Sequence, residues 1–225
     1  PTRAFRLPCI EEDDLEADDL IASYATEAPR RGWDVTIVSS DKDLMQLVED
    51  GSLDLYDTMN NRRLGREHVV EKFGVGPEKL GDVLALMGDS VDNVPGVPGI
   101  GPKTAAQLIQ QYGDLETVLA SVEEIRKPKL KQSLIDHAAN ARLSRELVRL
   151  ECDAALPEPL DDLALKGLPP EPLRAFLEDQ GFKSLLLKIA ANEAQPAPAP
   201  PPAQEDEPPF DHKAYETVVT EEALD

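Results

Sequence analysis

The sequence predicts an α/β segment with a parallel sheet, followed by an all-helical segment. Two observations predict this fold class. In the first 62 residues, helical and strand-like stretches alternate, an order typical of α/β proteins with parallel strands. From Arg66 onward the strand signals stop, and apolar residues recur at the three- and four-residue spacing of amphipathic helices.

Four stretches build the α/β segment in order. A helix over about residues 15–27 precedes residues 33–39, WDVTIVS, whose β-branched run indicates a buried strand. A short helix over 43–48 and a second strand over 52–57, SLDLYD, follow. Because two strands are too few for a stable α/β core, we expect this segment to be part of a larger sheet.

The rest of the chain predicts helices, a linker and the start of another domain. The predicted helices cover residues 66–73, 77–87, 103–112, 115–125, 128–150 and 171–190, with Asp114 as an N-cap. A stretch rich in proline and alanine then indicates a stiff, solvated linker, and the last residues indicate a strand and a helix start. We therefore divide the chain into an α/β part at 1–62, a helical part at 63–190, a linker at 191–210 and a following domain from 211 to 225.

The charge distribution limits where a nucleic acid can bind. The net charge of −21 argues against a generally basic surface. Residues 1–60 hold 5 basic and 15 acidic side chains, whereas residues 61–150 hold 13 and 12, so the helical part is the one that can contact a polyanion. Cys9 and Cys152 match no metal-ligand spacing and no apolar run is long enough for a membrane span, so we expect a protein of the reducing cytoplasm.

Three groups of acids are candidates for a metal site. They are Glu16, Asp18 and Asp19 in LEADDL, Asp41 and Asp43 in SSDKDL, and Asp89 and Asp92 in GDSVDN. The second group follows a predicted strand, at the end of a parallel sheet where ligands bind. Each group taken alone also fits a helix start, a cap or a turn. Together they offer oxygen ligands without His or Cys, which favours two Mg²⁺ or Mn²⁺ ions and phosphodiester hydrolysis.

A turn rich in glycine and proline, GVPGIGPKT, follows the third group. It differs from a nucleotide-binding P-loop because Pro102 separates the last glycine from the lysine. We instead predict a helix–hairpin–helix over 94–113, whose backbone N–H groups and helix N-terminus bind a phosphate without reading base sequence. The candidate DNA-binding residues are Gly96, Gly99, Ile100, Gly101, Lys103 and Thr104.

The chain from about Leu7 to Ala190 resembles the 5′ nuclease (5′–3′ exonuclease) domain of bacterial DNA polymerase I, a relative of the flap endonucleases. The resemblance rests on LEADDLIASYA, VSSDKDLMQLV, LMGDSVDNVPGVPGIGPKTA and LKQSLIDHAANARLSRELVRL. It implies a PIN-like sheet and a metal-dependent nuclease that removes 5′ flaps and RNA primers in replication and repair. It also implies that the seven acids bind metal, and that the hairpin holds DNA with a potassium ion between its carbonyls and a phosphate. We expect a monomer that binds duplex DNA, flap DNA and RNA-primed DNA.

The chain differs from the family at its N-terminus. The family begins with aspartate-bearing strands and a basic arch, and none of these precedes Pro1 here. We therefore interpret the chain as an N-terminally truncated piece of a longer polypeptide. We expect residues 1–225 alone to fold poorly in the first 60 residues and to cleave flap DNA negligibly. The alternative interpretation is a helix–hairpin–helix module that binds duplex DNA without catalysis, its acids serving as caps.

Overall fold

The computed structural model describes residues 2–193, and these residues belong to two compact units. One unit spans Pro8–Lys166, and the other combines the N-terminal residues up to Leu7 with the chain from Gly167 onward. Most of the predicted linker, and the whole of the predicted following domain at 211–225, lie outside the described residues.

A three-stranded sheet forms the α/β part of the larger unit. Its strands are β1 (Val35–Ile37), β2 (Leu53–Asp57) and β3 (Arg62–Leu64), in that spatial order. The predicted parallel pairing of the first two strands is confirmed, with Val35 opposite Leu53. The sequence analysis missed β3, which pairs antiparallel to β2, because its residues RRL show no apolar alternation.

Helix α1 (Ala17–Arg30) packs its small and apolar side chains inward, among them Leu20, Ala22 and Ala25. The segment Asp43–Leu47, predicted as a short α-helix, is a 3₁₀ helix that buries Leu44 and Met45. A segment this short gains little from α-helical hydrogen bonding, which explains the tighter form.

Six further helices complete this unit. They are α2 (Arg66–Phe73), α3 (Pro77–Met87), α4 (Pro102–Tyr112), α5 (Leu115–Ala120), α6 (Pro128–Asp136) and α7 (Ala138–Leu147). The predicted helix over 128–150 is in fact two helices, because His137 leaves the helical conformation with φ −118° and ψ 20°. The predicted helix over 115–125 is α5 followed by a 3₁₀ turn, Val122–Glu124.

The sheet and these helices share one hydrophobic core. One cluster of buried residues includes Ala25 of α1, Leu55 of β2, Leu84 of α3 and Val148. Helix α3 lies within this core, since Leu80, Val83, Ala85 and Leu86 are all fully buried. The loop that follows α3 and carries the third acid group therefore leaves a firmly packed element.

The smaller unit contains a 3₁₀ turn at Thr2–Phe5 and helices α8 (Pro170–Asp179) and α9 (Lys183–Glu193). The rings of Phe5 and Phe176 meet edge to face, with centroids 6.5 Å apart. The sequence predicted one helix over 171–190, but Gly181 at φ 71° separates two. Within residues 2–193, no helix has the length and apolar character needed to cross a lipid bilayer.

Candidate active site

Two of the acid groups lie at the starts of helical segments, and the third lies in the turn that follows α3. Glu16 has extended backbone at φ −75° and ψ 152° before α1, so it lies at the entry to the helix rather than within it. Asp41 follows β1, and Asp43 begins the 3₁₀ segment. Asp89 follows α3, and its backbone N–H and C=O both pair with Val94, at 2.9 and 2.7 Å.

The charges of these acids interact across all three groups. Burial raises the pKa of Asp18, and the negative charges of Asp41, Glu16, Asp19 and Asp92 raise it further. Burial likewise raises the pKa of Asp43 to about 6, against the attraction of Lys42 and with repulsion from Asp41, Asp92 and Asp89. We use the name carboxylate cluster for the acids whose charges raise the pKa of Asp18 or Asp43, together with these two: Glu16, Asp18, Asp19, Asp41, Asp43, Asp89 and Asp92. The fold brings together the acids that the sequence presents as separate groups.

Lys42 is a basic residue inside this cluster. Its Nζ contacts Asp89 Oδ2, and lies 3.5 Å from Asp92 Oδ2 and 3.8 Å from Asp43 Oδ1. The hydrogen bond from Lys42 holds the pKa of Asp89 below its usual range. Burial opposes the charge on Lys42, but the bond to Asp89 and the three nearby carboxylates outweigh it, so the pKa of Lys42 is raised. Sequence reasoning assigned no role to this residue.

Three of the acids also accept structural hydrogen bonds from the backbone, and in one of them the N–H of Val91 donates to Asp89 Oδ1 at 2.6 Å. Asp19 Oδ1 accepts the backbone N–H of Glu151 at 2.9 Å, which fixes the first turn of α1 to the segment after α7. Asp41 Oδ1 accepts the N–H of Asp43 at 2.9 Å and starts the 3₁₀ segment. These bonds use one oxygen of each carboxylate, and they orient the side chain.

The donor set fits a hard divalent cation. Asp43 Oδ1 is buried and accepts no hydrogen bond, and a buried carboxylate oxygen in that state favours a cation as its partner. The cluster offers oxygen donors, the ligands that magnesium and manganese prefer. Among residues 2–193, however, no three His, Cys, Asp or Glu side chains are already arranged as a metal-binding group. Holding an ion therefore requires the carboxylates to turn toward it.

The six hairpin residues divide into accessible and internal ones. Gly99, Gly101 and Lys103 are exposed and Thr104 is half-buried, whereas Ile100 is only 4% exposed. The backbone N–H groups of Gly101, Lys103 and Thr104 have no hydrogen-bond partner within residues 2–193, as expected at a helix start. These three N–H groups and the Lys103 ammonium form the accessible part of the predicted DNA contact.

Gly96 has an internal role in the same loop. It is buried, its N–H donates to Ser144 Oγ of α7 at 2.9 Å, and its φ is 60°. A Cβ on Gly96 would lie 2.5 Å from the backbone nitrogen of Gly88, so the two glycines let the two ends of the loop touch. The contact joins the segment bearing Asp89 to the segment leading into the hairpin.

Basic side chains near the hairpin were missed as site candidates. Ser133 Oγ donates to the carbonyl of Pro98 at 2.6 Å, which places α6 beside the hairpin. A cavity of about 530 Å³ is lined by Thr104 of α4 and by Arg126 and Lys127, which precede α6. The sequence signal was the run RKPKLK at 126–131.

Acids at the edge of a small mixed sheet, followed by helices and a glycine-rich hairpin, are an arrangement typical of hydrolases that act on nucleic acids. Residues 2–74 match the profile of the 5′–3′ exonuclease, N-terminal resolvase-like domain, and residues 75–171 match the 5′–3′ exonuclease, C-terminal SAM fold. The chain therefore belongs to the 5′–3′ exonuclease family, a family of nucleases. This finding confirms the resemblance and the predicted order of an α/β part before a helical part.

Two relatives show how the chain relates to longer proteins. DNA polymerase I of Rhizobium leguminosarum is 52% identical over 189 residues, which cover 84% of this chain and 18% of the relative. A 5′–3′ exonuclease of Aquifex aeolicus is 38% identical over 185 residues, covering 81% of this chain and 62% of the relative. The chain thus spans about a fifth of the length of the polymerase relative.

Two solved structures of the bacteriophage T5 enzyme share the fold. T5 5′-exonuclease with bound zinc is 26% identical, with a TM-score of 0.59 over 81% of this chain and 63% of that one. T5 flap endonuclease in a complex with DNA and metal ions is 23% identical, with a TM-score of 0.55 over 79% of this chain and 60% of that one. The second similarity shows the fold alone.

Proposed function

We propose that this chain is the 5′-nuclease region of a DNA polymerase I, which hydrolyses phosphodiester bonds of 5′ flaps and RNA primers in replication and repair. The observation that carries the proposal is the position of Lys42, whose Nζ contacts Asp89 Oδ2 and lies 3.5 Å from Asp92 Oδ2 and 3.8 Å from Asp43 Oδ1, so carboxylates from two segments far apart in sequence lie close together. A protein that only bound duplex DNA would have no use for a concentrated negative charge next to its DNA contact, because like charges repel.

In this proposal the carboxylate cluster holds two divalent cations, Mg²⁺ or Mn²⁺. Such ions supply Lewis acidity for phosphodiester hydrolysis. The chain's own residues orient and position the ligands: Asp19 is fixed by Glu151, and Asp41 by the N–H of Asp43. The zinc found in the T5 relative supports a divalent metal.

The helix–hairpin–helix over 94–113 supplies the DNA contact. The N–H groups of Gly101 and Lys103, with the Lys103 ammonium, would bind a backbone phosphate, and the hairpin carbonyls would hold a potassium ion that adds positive charge beside it. Gly96 and Ile100 support the hairpin from inside. In domain terms, residues 1–62 contribute to the nuclease core and 63–190 form the DNA-binding subdomain. The protein acts as a monomer on duplex, flap and RNA-primed DNA, in the cytoplasm where bacterial DNA lies.

The test measures DNA cleavage and DNA binding separately in the full-length protein. Asp41→Asn and Asp89→Asn each remove one metal-binding charge while keeping side-chain size, so cleavage of a labelled 5′-flap oligonucleotide should fall by about 100-fold or more. Duplex binding, measured by fluorescence anisotropy with Ca²⁺ in place of Mg²⁺, should stay within about threefold of wild type. The matched control is Asp162→Asn, an exposed acid that is not one of the seven, which should change neither quantity.

Lys103→Ala should instead weaken duplex binding, because it removes a phosphate contact and leaves the metal-binding acids unchanged. Losing one phosphate contact weakens duplex binding about equally for unrelated sequences and lowers the salt slope by about one. Full cleavage by both aspartate variants at saturating Mg²⁺ would refute the metal assignment and favour the non-catalytic duplex-binding module.

A further inference from the structure

We propose that Lys42 is a built-in counter-cation of the carboxylate cluster: its ammonium occupies the site in the metal-free protein and is displaced when a divalent ion binds. The inference rests on the proposed function, because it assigns Lys42 a role toward the metal that the cluster would hold. The evidence is the placement, burial and charge of Lys42 relative to three of the seven acids.

The placement of Lys42 connects two distant segments. Lys42 lies directly before the 3₁₀ segment after β1, and its side chain reaches the loop after α3 to contact Asp89 and Asp92. That loop is held by the Gly88–Gly96 contact and by the Asp89–Val94 backbone pair. The ammonium therefore meets the half-buried Asp89 on a loop whose backbone is held in place, together with the more exposed Asp92 of the same loop.

The burial of the contact makes it stronger than an ordinary surface ion pair. The side chain of Lys42 is 24% exposed and that of Asp89 is 15% exposed. Exposed ion pairs contribute little to stability, but screening by water is reduced here and a third carboxylate, Asp43, lies nearby. With so many like charges close together, a cation among them lowers the repulsion that opposes folding of the metal-free chain.

The ammonium and a divalent ion compete for the same oxygens. Asp89 Oδ2, Asp92 Oδ2 and the buried Asp43 Oδ1 face Lys42, and they are also the donors that the third and second acid groups would offer to a metal. A cation bound by these oxygens would stand within a few ångströms of the ammonium, where two positive charges repel strongly. Metal binding at Asp89 and Asp92 must therefore break the Lys42 contacts, and the affinity for the metal is lower by that amount.

The first experiment compares metal affinity in the full-length protein, using Mn²⁺ alone as the probe and isothermal titration calorimetry as the readout. Lys42→Met keeps the length of the side chain and removes its charge, so it should bind Mn²⁺ about 10-fold tighter or more. Its melting temperature in chelator should fall below that of wild type, and Mn²⁺ should raise it by a larger interval. The matched control, Lys72→Met, alters an exposed lysine of α2 and should behave like wild type.

A second measurement on the wild-type protein does not depend on the folding of a variant. Acylation of lysines by a small amine-reactive reagent, quantified by mass spectrometry, should become several-fold faster at Lys42 when Mn²⁺ saturates the protein. Lys72 should react at the same rate with and without Mn²⁺.

The outcomes separate this inference from the proposed function. Equal or weaker Mn²⁺ binding by Lys42→Met, or an unchanged acylation rate at Lys42, would overturn the counter-cation role while leaving the metal site in place. Absence of Mn²⁺ binding by the wild type would overturn both the metal site and the inference. Loss of Mn²⁺ binding in Asp89→Asn, with tighter binding in Lys42→Met, is the expected pattern.

Discussion

Ser144 of α7 is a single residue that holds the loop between the acids and the hairpin. Its side chain is fully buried, and its Oγ accepts the N–H of Gly96 at 2.9 Å. Ser133 of α6 bonds the same loop at Pro98, but in an exposed position. The two serines therefore form a pair that differs in burial and in bond direction, because Ser144 accepts a backbone N–H and Ser133 donates to a backbone carbonyl.

Ser144→Ala should lower the free energy of unfolding by about 1–3 kcal/mol, because it leaves the buried Gly96 N–H without a partner. Ser133→Ala should lower it by about 0.5–1.5 kcal/mol, since water can replace the lost bond. Urea denaturation followed by circular dichroism measures both. Equal losses in the two variants would show that burial of the Gly96 N–H is not what makes the bond important.

At the residue scale, the sequence predicts the acids and the hairpin but not what connects them. Aspartates in fixed spacings and a Gly-x-Gly turn are visible as patterns along the chain. The Lys42–Asp89 contact and the Gly96–Ser144 bond join segments far apart in sequence, so they depend on packing that no local pattern encodes. For the same reason, Gly96 could not be distinguished by sequence from the exposed Gly99 and Gly101.

At the element scale, helix α5 shows a local rule that holds. Asp114 was predicted as its N-cap, and its Oδ1 accepts the N–H of Thr117 at 2.7 Å. That bond from the Thr117 backbone lowers the pKa of Asp114 below the model-compound value of 3.8. A carboxylate whose pKa is lower in the folded state stabilises the fold above its unfolded pKa, and this stabilisation is lost as pH falls through the folded pKa.

The urea midpoint of Asp114→Ala should therefore be lower than that of the wild type at pH 6, and the difference between the two midpoints should be smaller at pH 3. Asp114→Asn keeps an N-capping side chain that does not titrate in this range, so the difference between the Asn and Ala variants should not change with pH. Urea titrations of the three proteins at both values provide the measurement. A difference between wild type and Asp114→Ala that is as large at pH 3 as at pH 6 would contradict the charge-dependent part of the cap.

The sequence predicts elements whose ends are marked by local residues, and it misses those that depend on tertiary contacts. Helices α2 and α3 begin and end where predicted, because apolar spacing and flanking glycines mark their ends. Strand β3 depends on pairing with β2 rather than on its own residues, and the break at His137 has no proline or glycine to signal it. Tertiary contacts decided both cases.

At the scale of the whole molecule, one core contains residues of both the sheet and the helices that carry the predicted DNA contact. The buried cluster from Ala25 to Val148 lies entirely within the unit Pro8–Lys166. The sequence analysis divided the chain by element type, and it could not show that α3 packs into the same core as the sheet. The carboxylate cluster contains acids from the α/β part and from the helical part, so its geometry depends on the core that the two parts share.

The sequence alone predicts poor folding of the first 60 residues, but the shared core predicts that a chain limited to residues 8–166 unfolds in a single cooperative thermal transition, with a midpoint close to that of the longer chain. Circular dichroism melting curves in chelator provide the measurement. The matched control ends at residue 125 and lacks α6 and α7, which removes Leu134, Ala141 and Val148 from the core, so it should show no cooperative transition. A broad, non-cooperative melt of residues 8–166 would show that the smaller unit is needed for folding.

Under the proposed function, the backbone contact between Gly88 and Gly96 fixes the distance between the hairpin assigned to DNA binding and the acids assigned to cleavage. No side chain separates the two glycines, so Asp89 and the hairpin glycine Gly99 belong to one compact loop. Under the proposed function this loop works as a gauge: the protein, and not the base sequence, sets the number of nucleotides between the gripped phosphate and the hydrolysed bond. Products of uniform length from flaps of unrelated sequence are the signature of such a gauge.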